Sequence, residues 1–282
     1  MDTNSKPSWL GMLQTPLVNR APYAITMPFR EITHGRVATP LVAYRELVHH
    51  YSNVHRKAET SSEPMIYPTS DSYLVFCRTR NDCRAVLAGP RSLPRVGEYV
   101  TDDTNYFVVS LSYKGSYALL PVLQFELTDK SFDLAEIFPK WAGELTEKIC
   151  EEPNIRLKIA LFENFLNKRI DKLAECKDVF VHIINKISKI DSRETYLKSI
   201  KSMGYTERHI RRIFLKYTGV SPYKYSRITR CQEAVHAMRA NPEASVADIA
   251  FELNYCDQSH FAKEFKLFYD MTPRDFIKEF MK

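Results

Sequence analysis

Arg208, Arg211 and Arg212 crowd into five residues, and Lys216 follows one helical turn later. A guanidinium offers a planar fork of donors that matches the O6/N7 edge of guanine. An ammonium is a point charge better suited to phosphate oxygens. A second polar group lies downstream: Gln258, Ser259, His260 and Lys263, with Lys266 behind them. Glutamine can bond an adenine edge in two places. Both groups carry the chemistry of reading a nucleic acid, not of breaking a bond.

Those side chains need a scaffold that presents them twice. The phrase "RRIFLKYTGVSP" (211–222) returns fifty-one residues later as "AKEFKLFYDMTP" (262–273). On a helix that begins after Thr206, a residue suited to the N-cap, Ile210, Phe214 and Tyr217 share one side. Arg208, Arg211, Arg212 and Lys216 fall on the other. In the second copy, capped by Asp257 or Cys256, Phe261, Phe265 and Phe268 form the apolar side. Gln258, Ser259, Lys263 and Lys266 lie on or beside the opposite face.

Each copy follows a shorter helical stretch and a tight turn. Gly204 supplies a residue at ease with positive φ in the first turn, and Asn254 the next best choice in the second. Ser245 with Asp248 reads as a capping box. Ser221–Pro222 and Thr272–Pro273 start a new helix after each copy. The unit is helix, turn, helix, which places its second helix in a major groove. The stretch from Pro222 to Asn241, as one helix of roughly 18 residues, spans roughly 27 Å at 1.5 Å per residue. A strut of that length can hold two such units about one DNA turn (~34 Å) apart.

The first half has another texture. Residues 72–77, 84–89, 98–102 and 105–113 read as strands, and Gly and Pro cluster at 89–97. A helix is expected over 40–53, where Leu41, Tyr44, Leu47, Val48 and Tyr51 share a face, and 57–64 reads as an exposed loop. From residue 131 the pattern is helical, with Pro139 marking a break, an amphipathic helix over 154–170 and another over about 174–190. The polar stretch 189–194 is the expected boundary. The reading is α+β: a β-rich domain over 1–130, a helical connector over 131–190 and an all-α domain over 191–282.

The last ninety residues resemble the DNA-binding domain of the AraC/XylS family of bacterial transcription regulators. The residues that carry the resemblance are "GYTERHIRRIF", "TGVSPYKY", Arg230, Ala234, "SVADIAFELNYCDQSHFAKEFK" and "MTPRDF". The chain departs from the family pattern at Ser199 and Ile200, where Leu-Ala is usual, and at Asn254 and Asp270, which replace glycines. The resemblance implies base contacts from Arg208, Arg211 and Arg212 in the first unit and from Gln258, Ser259, His260 and Lys263 in the second. It implies phosphate contacts from Thr206, Lys216 and Lys266. Arg230 is read as an ion-pair residue of the strut. The segments 69–76, 88–90, 108–129 and 155–170 are similar to a domain that precedes the DNA-binding domain in some members. That likeness suggests a sensor or dimerisation module, with a cupin-like barrel as one form it could take.

The expected function is therefore a sequence-specific transcription regulator, an activator by the family's commoner mode. Its expected partners are double-stranded DNA and RNA polymerase, with a small-molecule effector and a second copy of the chain as further expectations. Two other classes remain open: a helical adaptor that binds protein, and an enzyme fused to a DNA-binding domain. The chain has no GxSxG, HExxH, P-loop or GxGxxG. His49, His50 and His55 would not share one helix face, and the six cysteines contain no CxxC, so neither metal nor cofactor is expected. Cys77 and Cys83 read as buried thiols, and a net charge of +6 barely favours nucleic acid on its own. The first residues lack a signal peptide's basic start and apolar core, and no apolar run nears the ~18 residues of a membrane span. Cytoplasm is the expected location.

Overall fold

The computed structural model describes residues 17–18, 34–56, 65–97, 99–101, 103–169, 178–187, 193–241 and 243–280. An antiparallel sheet organises the first half. Numbered along the chain, its strands run in spatial order β1 (Leu17–Val18), β2 (His34–Ala38), β3 (Val48–Arg56), β8 (Thr104–Leu111), β5 (Ser72–Arg78), β6 (Cys83–Ala88) and β9 (Ser131–Asp133). The strands β4 (Met65–Ile66) and β7 (Arg95–Val96) pair as a separate ribbon. No pairing joins β1 to β9 among the described residues, so the described sheet is open rather than a closed cupin-like barrel.

Both faces of this sheet are buried, which explains its near-continuous apolar strands. Leu74 and Phe76 of β5 join Phe107 and Val109 of β8 on one face, while Tyr73, Val75 and Cys77 join Tyr106 and Val108 on the other. The helices α3 (Leu134–Ile137), α4 (Ala142–Glu151) and α5 (Ile155–Asn167) cover the first face. They follow two short helices, α1 (Tyr113–Leu119) and α2 (Gln124–Leu127). Pro139 falls between α3 and α4, at the break its ring imposes.

The helix expected over 40–53 does not form. A single 3-10 turn, Val42–Tyr44, precedes β3. The register of β3 against β8 shifts between Val48 and His50. This irregularity lets Val48 and Tyr51, three residues apart, join one core cluster. Their spacing imitates a helical one. Residues 99–101 likewise form a turn that packs Tyr99 and Val100 onto the second face, not a strand.

The connector expected over 131–190 is divided between two cores. Its first residues add β9 to the sheet, and α4 and α5 complete the sheet's core. Its later helix, α6 (Asp178–Ile187), packs with α7 (Arg193–Ser202) and α8 (Glu207–Thr218). Residues 188–192, in the expected boundary, lie outside the described residues. The chain continues through α9 (Pro222–Ala240), α10 (Val246–Glu252), α11 (Gln258–Tyr269) and α12 (Pro273–Phe280).

Candidate nucleic-acid interface

The repeated phrases fold as α8 and α11, each of 12 residues. Thr206 caps α8, its hydroxyl oxygen accepting from the His209 amide at 3.2 Å. Asp257 caps α11, accepting from the His260 amide at 2.7 Å. Gly204 and Asn254 turn the chain into these helices with φ of 72° and 55°. Ser245 and Asp248 form the capping box of α10. Two helix-turn-helix units result, α7–α8 and α10–α11.

Helices this short are marginal alone, so their packing must hold them. Ile210, Phe214 and Tyr217 anchor α8 in a cluster with Phe180, Ile183, Tyr196 and Ile200. Phe261, Phe265 and Phe268 anchor α11 against Ile228, Cys231, Val235 and Ile249. Each buried large apolar side chain contributes about 1.5–3 kcal/mol. Phe276 of α12 closes the second core against Phe265, ring centroids 5.3 Å apart.

The strut α9 serves both cores. Tyr223 and Tyr225 at its start pack on the first, and Ile228 to Met238 on the second. Buried Glu264 fixes the strut to α11. It accepts from Arg227 Nε at 2.9 Å, Arg230 Nη2 at 3.0 Å and the Tyr255 hydroxyl at 3.2 Å. Arg230 also lies 3.9 Å from the centroid of Tyr255. It is thus an ion-pair residue inside the domain. At 19 residues the helix is ~28 Å long, on the scale of the ~34 Å DNA turn.

Arg208, Arg211 and Arg212 are exposed on α8, and Gln258, Ser259, His260 and Lys263 are exposed on or near the start of α11. Thr206 and Lys266 are exposed as well. The cap bond uses the Thr206 oxygen as acceptor and leaves its O–H free to donate. Arg212 Nη2 lies 3.3 Å from His209 Nδ1, and Tyr205 stacks on the His209 ring at 5.2 Å. His260 leans inward, its Nε2 4.0 Å from Glu264 and its ring edge-on to Tyr255. Lys216 differs from the rest. It is half-buried, and its Nζ lies 5.1 Å from the ring centroid of Tyr117 on α1, so it faces the sheet domain.

That contact belongs to an interface that sequence reasoning missed. Thr128 Oγ1 donates to the carbonyl of Gly219, the left-handed cap of α8, at 2.8 Å. Tyr117 packs on Tyr217 at 4.6 Å. On the second unit, Tyr67 packs on Tyr269 at 4.9 Å, and Gln232 Nε2 donates to the Pro68 carbonyl at 3.4 Å. The sheet domain touches both units. Tyr67 and Pro68 lie outside every motif read in the sequence, and nothing in the segment 108–129 marks Tyr117 and Thr128 as docking residues.

Among the described residues no His, Cys, Asp or Glu cluster could hold a metal ion, and no helix is long and apolar enough to cross a membrane. His49 and His50 lie on β3; His49 pairs with Asp71 at 2.8 Å and His50 is buried. Cys77 is a buried strand thiol, whereas Cys83 is only half-buried and receives Arg78 Nη1 at 2.7 Å.

Two capped recognition helices with polar exposed faces, joined by one rigid strut, define a double helix-turn-helix DNA-binding domain. Residues 200–279 match a family model described as a helix-turn-helix domain. Over 68 residues the chain is 37% identical to the HTH-type transcriptional activator RhaS of Escherichia coli O139:H28 (strain E24377A / ETEC), 24% of either chain. The figures for RhaS of Klebsiella pneumoniae (strain 342) are the same. The chain thus spans about a quarter of the length of the curated relatives it matches. Among solved structures it is similar to a point variant of apo ToxT from Vibrio cholerae strain SCE256, at 14% identity and a TM-score of 0.45, covering 81% of this chain and 97% of that one.

Proposed function

We propose that the whole chain is a sequence-specific transcription activator controlled through its sheet domain. The observation that carries this reading is the twin presentation of exposed polar faces on α8 and α11, fixed to one strut by buried contacts. The three arginines of α8 suit guanine edges, and Gln258 suits an adenine edge. Ser259, His260 and Lys263 complete the second reading face. Thr206 and Lys266 suit phosphates, which position the domain without choosing a sequence. Lys216 can join them only if the contact with Tyr117 opens.

The sheet domain's grip on both units is the means of control. A ligand that favours one docking geometry changes DNA affinity by as much as it distinguishes the two states. RNA polymerase, a small-molecule effector and a second copy of the chain are the partners this role calls for, and cytoplasm the place. The role requires no catalysis.

The test compares Arg212→Ala with Lys266→Ala on a duplex selected by the wild-type protein and on a scrambled duplex, across a salt series. The lysine change should weaken both duplexes alike and reduce the salt slope by about one. The arginine change should act mainly on the selected duplex, by about 1–3 kcal/mol. Wild-type binding by both variants would overturn the face assignment.

A further inference from the structure

A cationic cavity lies beside the interface between the sheet domain and the first unit. It has a volume of about 240 Å³ and is lined by Arg91, Arg95, Asp129, Lys130 and Ser131, with Ile66, Val96 and Phe132 as its apolar part. Pockets for drug-sized ligands run ~300–1,000 Å³, so this one suits a smaller molecule. Three cationic residues and one carboxylate line it. That carboxylate is already engaged, accepting from the Ser92 amide at 2.8 Å and the Ser92 hydroxyl at 2.7 Å.

Arg91 is the feature the fold alone does not explain. It is 3% exposed, and its Nη2 donates to Ser131 Oγ at 2.5 Å. Its Nε and Nη1 are buried and make no close, well-aligned hydrogen bond among the described residues, with the Tyr99 hydroxyl and the Asp129 charge near enough to interact with the guanidinium. Tyr99 lies beside the guanidinium, and Arg95 donates to the Asp129 carbonyl. Burial of a charge whose donors are only partly satisfied is costly, and an anionic oxygen in the cavity reduces that cost.

The cavity wall runs directly into the DNA-binding domain. Asp129 and Lys130 are tied by backbone bonds to Pro90 (2.8 Å) and Gly89 (3.1 Å). The adjacent Thr128 donates to the Gly219 carbonyl at the end of α8. We infer that Arg91, Arg95 and Lys130 bind the carboxylate or phosphate of a small organic anion, and that its binding alters the docking of α8 through Thr128. The coupling rests on the proposed regulatory function; the binding site does not.

The test uses the full chain and calorimetric titration with butyrate, inorganic phosphate and, as a cationic control, butylamine. One anion should bind at a single site, butyrate marking a carboxylate and phosphate a phosphoryl preference. Arg91→Gln and Lys130→Ala should each weaken binding at least tenfold. Lys130 is exposed, so its variant remains informative if Arg91→Gln fails to fold. Absence of anion binding up to millimolar concentration, equal binding of butylamine, or undiminished binding by folded variants would overturn the site. With the selected duplex, saturating anion should shift DNA affinity at least threefold in wild type and not in Lys130→Ala. An unmoved DNA affinity would overturn the coupling alone. Failure of the wild type to bind any duplex would overturn the regulatory reading and leave the anion result to be judged by itself.

Discussion

At the scale of single residues, two buried carboxylates do opposite work. Glu264 is ionically paired to Arg227 and Arg230, so Glu264→Ala leaves buried guanidinium charge uncompensated. The expected loss is about 3–5 kcal/mol in urea unfolding. Glu163, buried under the sheet, accepts from the Leu41 amide and the Tyr51 hydroxyl, both at 3.2 Å, and from no other group among the described residues. Burial pushes its pKa from 4.5 up to about 7. Its native form holds a proton that the unfolded chain releases, so its contribution is full below pH 4.5 and is lost as pH rises to about 7. Buried His50, pulled down to about 4, gives the opposite slope, stability rising with pH between about 4 and 6.5. The comparison of Glu163→Gln with wild type isolates the first effect: the variant should lack the decline between pH 4.5 and 7. Equal pH profiles would contradict it. The exposure of the side chains proposed to read bases was legible in the sequence because a helical wheel separates them from aromatic anchors. Glu264, Glu163 and Arg91 were not, because each has an essential partner 34 to 122 residues away.

At the scale of elements, the left-handed residues Gly204, Gly219, Asn254 and Asp270 follow the ends of α7, α8, α10 and α11. Gly204 and Gly219 share a φ of 72°, yet their surroundings differ. A Cβ on Gly204 meets nothing within 4 Å, whereas one on Gly219 would lie 2.4 Å from Thr128 Oγ1 and 2.8 Å from the Gln124 carbonyl. Gly204→Ala should cost about 1 kcal/mol of backbone strain, and Gly219→Ala clearly more, seen as the larger fall in Tm. Equal falls would mean the contact with Thr128 does not hold α8. The caps, turns and the strut were legible because each rests on local chemistry. The helix expected over 40–53 was not borne out, because a shifted strand register imitates helical spacing. Short elements such as β4, β7 and β9 exist only through pairing, which no local pattern announces.

At the scale of the whole molecule, the strut unites the two helix-turn-helix units while the sheet domain touches both. Tyr67→Ala should loosen the second unit through loss of the ring contact with Tyr269, and Thr128→Val the first through loss of its bond to Gly219. Either change should raise hydrogen exchange at the contacted helix while leaving the sheet protected. The division of the chain into a β-rich half and a helical half was legible from its two hydrophobic periods. The docking between the halves was not, because a tyrosine that bridges domains looks like any core tyrosine. The central claim is that one chain reads two neighbouring major-groove segments. Selection of duplexes from a random pool by the full chain tests it most directly. The account predicts a bipartite motif whose two blocks are centred about one helical turn, ~10–10.5 bp, apart. A single block, or no enrichment over the starting pool, would contradict it.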